Sequence, residues 1–265
     1  MYKKEDIILT ANNVNLQYDE KIILRDVNFV IHNITRPGMA QGQVVSLIGR
    51  SGVGKTQLFR ILAGLINPTS GNIKIGLDQH LVKAGEVGIV PQNYVLFNHR
   101  SVLENLKIGL NNCGDKNTEK RKEEIINEYC KSFDLLDHLK KFPMQLSGGQ
   151  RQRVSIIQQV LTGNRFILLD EPFSGLDSLM VDKVMALLNK VSTINELNTL
   201  IIVSHDAESA MAISDTVYIL ANEDGKKGAT ITRTLDLIEM DLAWNPEIRK
   251  KAIFQELVGD IKNMI

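Results

Sequence analysis

Cysteine and long apolar runs are scarce in this sequence. The 265 residues include only two cysteines, Cys113 and Cys130. Two cysteines without a CxxC spacing exclude a disulfide framework and a zinc site, so we interpret both as ordinary thiols. No apolar run approaches the length of a membrane span, and the first residues lack the apolar stretch and cleavage site of a secretion signal. We therefore expect a soluble chain in the cytosol.

An excess of charge of either sign is also lacking. Lysine plus arginine and aspartate plus glutamate both number 31. A balanced chain has no electrostatic footprint for nucleic acid or anionic lipid, so we expect neither as a main partner. The length of 265 residues suffices for one large α/β domain with a sizeable core, with or without a subdomain.

Short β-branched runs alternate with helical or turn-rich stretches along the chain. This alternation predicts an α/β sheet. The runs VVSLIG, FILLDE and LIIVSH are nearly unbroken in apolar residues, which is typical of central parallel strands buried on both faces. The predicted strands are residues 7–14, 27–35, 44–49, 72–75, 87–90, 166–170, 200–204 and 217–220.

Helical patterns replace the strand pattern between residues 101 and 163. One predicted helix follows Thr118 as its N-cap and places Ile125, Ile126, Tyr129, Cys130 and Phe133 on one face. We therefore predict a helical subdomain, at about residues 98–163, inserted in an α/β domain of residues 1–221.

A C-terminal extension, residues 222–265, follows the predicted domain. It contains a predicted strand at residues 229–234 and ends in a helix that Asn245 would cap and Pro246 would start. We expect this helix to pack against the core of its own chain. Its predicted apolar face comprises Ile248, Ala252, Leu257 and Ile261.

A glycine-rich string, GRSGVGKT, lies between the strand VVSLI and the helical run QLFRILAGL. This is the context of a phosphate loop, in which backbone N–H groups and the positive end of the helix face phosphate oxygens. Lys55 would neutralise the β- and γ-phosphates, and Thr56 would bind Mg²⁺. A turn that only joined a strand to a helix would not explain this lysine and threonine. The predicted ATP-binding residues here are Gly49, Arg50, Ser51, Gly52, Val53, Gly54, Lys55 and Thr56.

Polar side chains follow three other predicted strands. Ligands gather at the carboxyl ends of strands in open α/β sheets, where FILLDE places Asp170 and Glu171. We predict that Asp170 binds Mg²⁺ and that Glu171 orients or deprotonates the attacking water. His205, after LIIVS, would hold the γ-phosphate, the water and Glu171 in line. Gln92, in VPQN, would reach Mg²⁺ and the water.

A second predicted anion site lies at LSGGQ, which opens the helical run RQRVSIIQQVL. A serine and free N–H groups at a helix N-terminus favour phosphate, although such a string also serves as a simple helix cap. The predicted residues are Ser147, Gly148, Gly149 and Gln150. One chain thus carries two predicted phosphate sites.

The motifs GRSGVGKT, VPQN, LSGGQRQR, FILLDEP, SGLD and IVSHD resemble, in this order, the motif set of ABC-type ATPase domains. The resemblance implies a P-loop NTPase core of RecA-like type, with an antiparallel β subdomain and an inserted helical subdomain. It also implies that two copies pair head to tail, so that LSGGQ of one copy contacts the γ-phosphate on the loop of the other, with Asp177 helping to pair them. Tyr18 matches the aromatic residue on which adenine stacks.

Three departures from the family pattern stand out. Gln57 replaces a common hydroxyl residue, which leaves one predicted α-phosphate contact open. Gln158 lies where many relatives carry an arginine. Residues 33–41, NITRPGMAQ, are longer than the usual connection, and we predict a surface loop because Pro37 and Gly38 break a strand.

The resemblance favours a separate ATPase subunit of a membrane transporter, peripheral on the cytoplasmic side of the membrane. Its expected partners are a second copy, transmembrane permease subunits and, in an import system, a substrate-binding protein. The tail weakly resembles nitrate, sulfonate and taurine import ATPases. The alternatives are an exporter or lipid-transport subunit, a soluble ABC ATPase acting on chromosomes or ribosomes, and an interaction module without turnover. The last is disfavoured by Glu171 and His205.

Overall fold

The computed structural model describes residues 2–35, 42–112, 118–192, 198–245 and 247–265. Cys113, Pro246 and most of the predicted loop at 33–41 lie outside these ranges. The first three residues of that loop are described, and the prediction is wrong for them because they continue a strand. Within the described part of the chain, no helix is long and apolar enough to cross a membrane.

Ten strands and seven α-helices form the described structure. The strands are β1 Lys3–Tyr18, β2 Lys21–Thr35, β3 Gln43–Ile48, β4 Ser70–Ile75, β5 His80–Leu81, β6 Val87–Val90, β7 Phe166–Asp170, β8 Thr199–Ser204, β9 Thr216–Asn222 and β10 Ala229–Asp236. The helices are α1 Lys55–Leu62, α2 Val102–Asn112, α3 Glu119–Ser132, α4 Gly148–Val160, α5 Ser178–Ser192, α6 Ala207–Ala212 and α7 Ala252–Met264.

The strands form one mixed sheet in the order β5-β4-β1-β2-β10-β9-β3-β8-β7-β6. Strands β9, β3, β8, β7 and β6 pair in parallel, whereas β1 pairs antiparallel with both β2 and β4. The predicted α/β class with an antiparallel part is confirmed. The carboxyl ends of β3, β8, β7 and β6 therefore meet at one edge, because parallel neighbours share a direction.

The central strands are buried on both faces. Along β3, Val44 and Ile48 belong to one apolar cluster, whereas Val45 and Leu47 belong to another. This alternation follows from the two-residue period of a strand. Helix α1 covers the face of Val45, and helices from α2 to α7 contribute to the cluster on the opposite face.

Between β6 and β7, every regular element of the described residues is helical. Thr118 caps α3 by accepting a hydrogen bond from the Arg121 N–H, as predicted. Cys130 of this helix is a free, buried thiol, and burial raises its pKa to about 12. The division into domain, helical subdomain and extension stays a prediction.

The C-terminal helix packs on its own chain. Its buried face consists of Phe254, Leu257, Val258 and Ile261, which belong to the same cluster as Ile48 of β3. Two details of the prediction are wrong. The α-helix begins only at Ala252, after a 3₁₀ turn at Ile248–Lys250, so Asn245 does not cap it, and Ala252 is exposed.

Candidate functional site

The loop between β3 and α1 has a backbone that side chains would disrupt. A Cβ atom on Gly49 would lie 2.4 Å from the backbone oxygen of Leu220, which is closer than packing permits. Gly52 and Gly54 have φ values of 81° and 116°, a region that favours glycine. The glycines of this string thus shape a tight loop directly before the N-terminus of α1, and the loop has the form of an anion cradle.

Lys55 lies under this loop, and its ammonium group contacts three oxygen atoms. Its Nζ donates to the backbone oxygens of Gly49 at 2.7 Å and Arg50 at 3.1 Å. The same Nζ lies 3.3 Å from Oε1 of Glu171. Lys55 is only 7% exposed, so burial strengthens these contacts relative to a surface pair. The structure therefore brings the predicted lysine and the predicted base together.

Glu171 connects Lys55 to His205. Its Oε2 accepts from the His205 backbone N–H at 3.1 Å and lies 2.8 Å from His205 Nδ1. The Ser204 hydroxyl also donates to this oxygen at 3.2 Å. Glu171 has a φ of 49°, and its N–H donates to the Val203 oxygen at 2.8 Å, so the chain leaves β7 in a left-handed turn beside β8. Both features fix the carboxylate at the sheet edge.

Asp170 precedes this turn at the end of β7. Its Oδ1 is buried and has no hydrogen-bond partner among the described residues. Burial raises the pKa of this carboxyl and the nearby charge of Glu171 raises it further, whereas Lys55 and Arg60 lower it. A buried oxygen without a partner is costly unless a donor or a cation binds it.

The residues predicted for Mg²⁺ fit a cation that is held partly by substrate. Thr56, Gln92 and Asp170 provide three oxygens and a single charge. Within the described ranges, no group of three or more His, Cys, Asp or Glu side chains could hold a metal alone. Mg²⁺ in phosphoryl-transfer sites commonly uses one or two carboxylates, together with phosphates and waters. The unpartnered Asp170 oxygen is consistent with that arrangement.

A cavity of about 470 Å³ opens above these residues. Gln92 lies in its wall and donates to the Ser174 hydroxyl at 3.3 Å. Ile23 also lines the cavity, five positions after the predicted adenine-stacking residue Tyr18, and its sequence pattern indicated no role there. The lining residues are Ile23, Ser51, Gly52, Gly54, Lys55, Thr56, Gln57, Gln92, Glu171, Ser174 and His205.

Tyr18 lies at the end of β1 and is connected to the cavity by a side-chain contact. Its hydroxyl donates to Oε1 of Gln57 at 3.2 Å, while the ring is about half exposed. Gln57, the residue that departs from the family pattern, therefore links the predicted adenine-stacking residue to the first turn of α1.

The segment LSGGQ does not line this cavity. Ser147 caps α4, since its hydroxyl accepts from the Gln150 N–H at 3.3 Å, and Gln150 Oε1 accepts from the Ser147 N–H at 2.9 Å. The helix that LSGGQ was predicted to open is confirmed. Ser147, Gly148 and Gly149 are exposed, so the structure separates the two predicted phosphate sites of one chain.

Another departure from the family pattern, Gln158, has a structural role. It is buried, and its amide donates to the backbone oxygen of Asn105 in α2 at 2.8 Å. Gln158 therefore ties α4 to α2, and the site does not use it.

Comparisons with known proteins point to one family. The model of the ABC transporter family matches residues 34–174. The spermidine/putrescine import ATP-binding protein PotA of Fusobacterium nucleatum is 37% identical over 223 residues, which cover 82% of this chain and 55% of that protein. The sulfate/thiosulfate import ATP-binding protein CysA of Pectobacterium atrosepticum is 36% identical, with coverages of 80% and 63%.

Solved structures give the same result for the fold. The cbiO1 structure from Clostridium perfringens, described as part of the ABC transporter complex cbiONQ, has a TM-score of 0.74 and 26% identity. The match covers 98% of this chain and all of that one. In contrast, this chain spans only between 55% and 63% of the length of the two curated relatives above.

Proposed function

Because the chain belongs to the ABC transporter family of ATP-binding domains, we propose that it binds MgATP at residues 49–56 and hydrolyses it. The observation that carries this proposal is the cluster of Lys55, Glu171 and His205 at the carboxyl edge of the sheet. The cluster joins a phosphate-binding lysine, a carboxylate base and a histidine within direct contact distances. That combination serves phosphoryl transfer to water.

Residues in and beside the cavity would share the binding of the nucleotide. The loop N–H groups and Lys55 would hold the phosphates, and Tyr18, outside the cavity lining, would stack on the adenine. Thr56 and Gln92 in the lining and Asp170 at the end of β7 would hold Mg²⁺, which when bound neutralises phosphate charge. Ile23 adds an apolar wall beside Gly54 of the loop.

Glu171 is the base for the attacking water. Its Oε2 is occupied by His205 and Ser204, whereas its Oε1 faces only Lys55 among the described residues. Oε1 is therefore the oxygen that accepts the proton of the water. The contact through Nδ1 orients the ring of His205 and leaves its Nε2 for the substrate and the water.

A second copy of the chain completes the site. An added Cβ on Gly148 or Gly149 would meet no atom of the described residues within 4 Å, and neither residue has a left-handed φ. Nothing in the described part of the chain therefore requires glycine there, although glycine weakens a helix by about 1 kcal/mol relative to alanine. Close approach of phosphates held by another copy accounts for both glycines, and it agrees with the separation of LSGGQ from the cavity.

Phosphate release from ATP by the purified chain tests the proposal. Turnover must depend on Mg²⁺, and a Lys55→Ala preparation controls for contaminating phosphatases. Wild-type protein that releases no more phosphate than this control would contradict the assignment.

The proposed biological role is that of an ATPase subunit in a membrane transporter, most simply an importer. The names of the two curated relatives describe import ATP-binding proteins, which supports this direction. Closure of the dimer on MgATP and its reopening after hydrolysis would drive separate permease subunits on the cytoplasmic side of the membrane. A substrate-binding protein would deliver the cargo. Copurification with membrane subunits tests this assembly.

Residues 93–100, after β6, form the proposed contact with the permease. Val95 and Phe97 are 68% and 49% exposed. The buried side chain of Asn105 accepts from the Phe97 N–H at 2.8 Å and donates to the backbone oxygens of Phe97 and Arg100, so the segment is held in a fixed shape. A rigid apolar surface of this kind suits a protein partner.

We expect Phe97→Asp to uncouple transport from hydrolysis. The charge should weaken docking to the permease, because burial of an unpaired carboxylate is costly, while ATPase activity of the isolated subunit stays within about two-fold. Transport in reconstituted vesicles and ATPase activity in solution measure the two effects. The matched control is Leu77→Asp, since Leu77 is 64% exposed near the opposite edge of the sheet. Equal loss of activity in solution would contradict this role of the segment.

A further inference from the structure

Both ends of the Gln150 side-chain amide are used inside the chain. The Oε1 atom accepts from the Ser147 N–H at 2.9 Å, which closes the capping box at the start of α4. The Nε2 atom lies 2.9 Å from Nε2 of His138. The side chain of Gln150 thus connects the exposed LSGGQ segment to His138, which belongs to none of the sequence motifs.

The direction of each bond follows from the chemistry of the partners. A backbone N–H can only donate, so the atom of Gln150 next to Ser147 must be the oxygen. The amide nitrogen then donates toward His138, whose Nε2 must carry the lone pair. His138 is therefore neutral, with its proton on Nδ1. That Nδ1 is buried and has no hydrogen-bond partner among the described residues.

The backbone around His138 is firmly held. It ends a 3₁₀ turn at Leu136–His138, and its oxygen accepts from the Lys141 N–H at 2.9 Å. The Lys141 oxygen accepts from the Val102 N–H, and the Leu139 oxygen accepts from the Leu103 N–H, so the turn is fixed to the start of α2. His138 can therefore act as a stationary anchor for the Gln150 amide.

A buried N–H without a partner reduces stability, since its hydration is lost without compensation. An apolar side chain would fill the same place at lower cost, so packing does not explain a histidine here. The lone pair of Nε2 does explain it, because it is the feature that holds Gln150. By holding Gln150, His138 also fixes the positions of Ser147 and of the first N–H groups of α4.

We propose that His138 is a positioning residue for ATP hydrolysis: it holds Gln150, and through it the capping box, so that LSGGQ is held in one shape facing nucleotide bound on the second copy. The inference rests on the proposed function. His138 touches no substrate, and it lies outside the lining of the cavity on its own chain. It should therefore affect turnover without affecting nucleotide binding by the same copy.

The matched variants His138→Met and His138→Gln test this role, since they have similar length and flexibility, but glutamine offers a strong oxygen acceptor and methionine only a weak thioether acceptor. We expect His138→Met to lower kcat about ten-fold, the change that corresponds to about 1.4 kcal/mol of barrier. Its Kd for MgATP under monomeric conditions should stay within about two-fold, and its Tm should not fall, because the unpartnered N–H is gone. His138→Gln should restore most of kcat.

The outcomes separate the inference from the function on which it rests. A wild-type chain without turnover would overturn both. Wild-type turnover with the same kcat in the Met and Gln variants would overturn the role of His138 alone, and so would a loss of kcat in His138→Met that follows a loss of Tm. A low kcat in the Met variant with unchanged Tm and Kd, and recovery in the Gln variant, would support the anchor.

Discussion

Glu171→Gln is expected to slow phosphate release by about 10²- to 10⁴-fold while MgATP binding persists, because a positioned general base contributes a factor of this size. The amide has almost the same shape and can still accept hydrogen bonds from the His205 N–H and the Ser204 hydroxyl. It cannot take a proton from water through the atom that replaces Oε1. The closed dimer should therefore accumulate with ATP bound.

Single-turnover phosphate release and size-exclusion chromatography with ATP measure these two effects. Glu256→Gln is a matched control, since it makes the same change on the exposed side of α7 and should leave turnover unchanged. A Glu171→Gln variant that retains more than about a tenth of the wild-type rate would assign the base to another residue.

Ser147→Arg is expected to abolish turnover, although the monomer should bind MgATP as tightly as the wild type. Ser147 is exposed and does not line the cavity, so we expect a larger side chain there to leave the cavity of its own copy unchanged. In the dimer, an arginine would occupy the space where the phosphates of the other copy approach. The variant thus tests whether one chain forms a complete site.

Loss of the helix cap is a separate effect of this substitution, and it costs about 1 kcal/mol. Thr118→Arg is the matched control, because Thr118 caps α3 with the same kind of bond and has no role in the site. We expect the control to lose similar stability and to keep its turnover. Hydrolysis by monomers of Ser147→Arg would show that the second copy is unnecessary.

The central strands were predictable because most of their residues are apolar and buried on both faces of the sheet. The predicted strands 87–90 and 166–170 agree with β6 and β7 at both ends. Strands β1 and β2 extend beyond their predictions, since they pair with each other through exposed residues such as Lys4 and Lys21 that carry no apolar signal. The two-residue strand β5 was not predicted, because so short a segment has no period.

The candidate site was predictable as a set of residue types at strand ends, but the contacts among Lys55, Glu171 and His205 were not. The spacing of Asp170 and Glu171 gave no sign of the left-handed turn between β7 and the loop that follows. The anchor at His138 was missed because twelve positions separate it from Gln150, and only the three-dimensional turn brings the two side chains together. The start of α7 was misplaced because Asn245 precedes a 3₁₀ turn instead of the α-helix.

The three acceptors around Lys55 act as internal competitors of the substrate. The oxygens of Gly49, Arg50 and Glu171 match the three N–H bonds of the ammonium group. An arriving phosphate would exchange with at least one of them, so we expect a lower affinity than the loop alone would provide. When the product phosphate leaves, Lys55 would bind the oxygens of Gly49, Arg50 and Glu171 again. The chain thereby trades tightness of binding for a short residence time of the product, which suits an enzyme that must reset after every cycle.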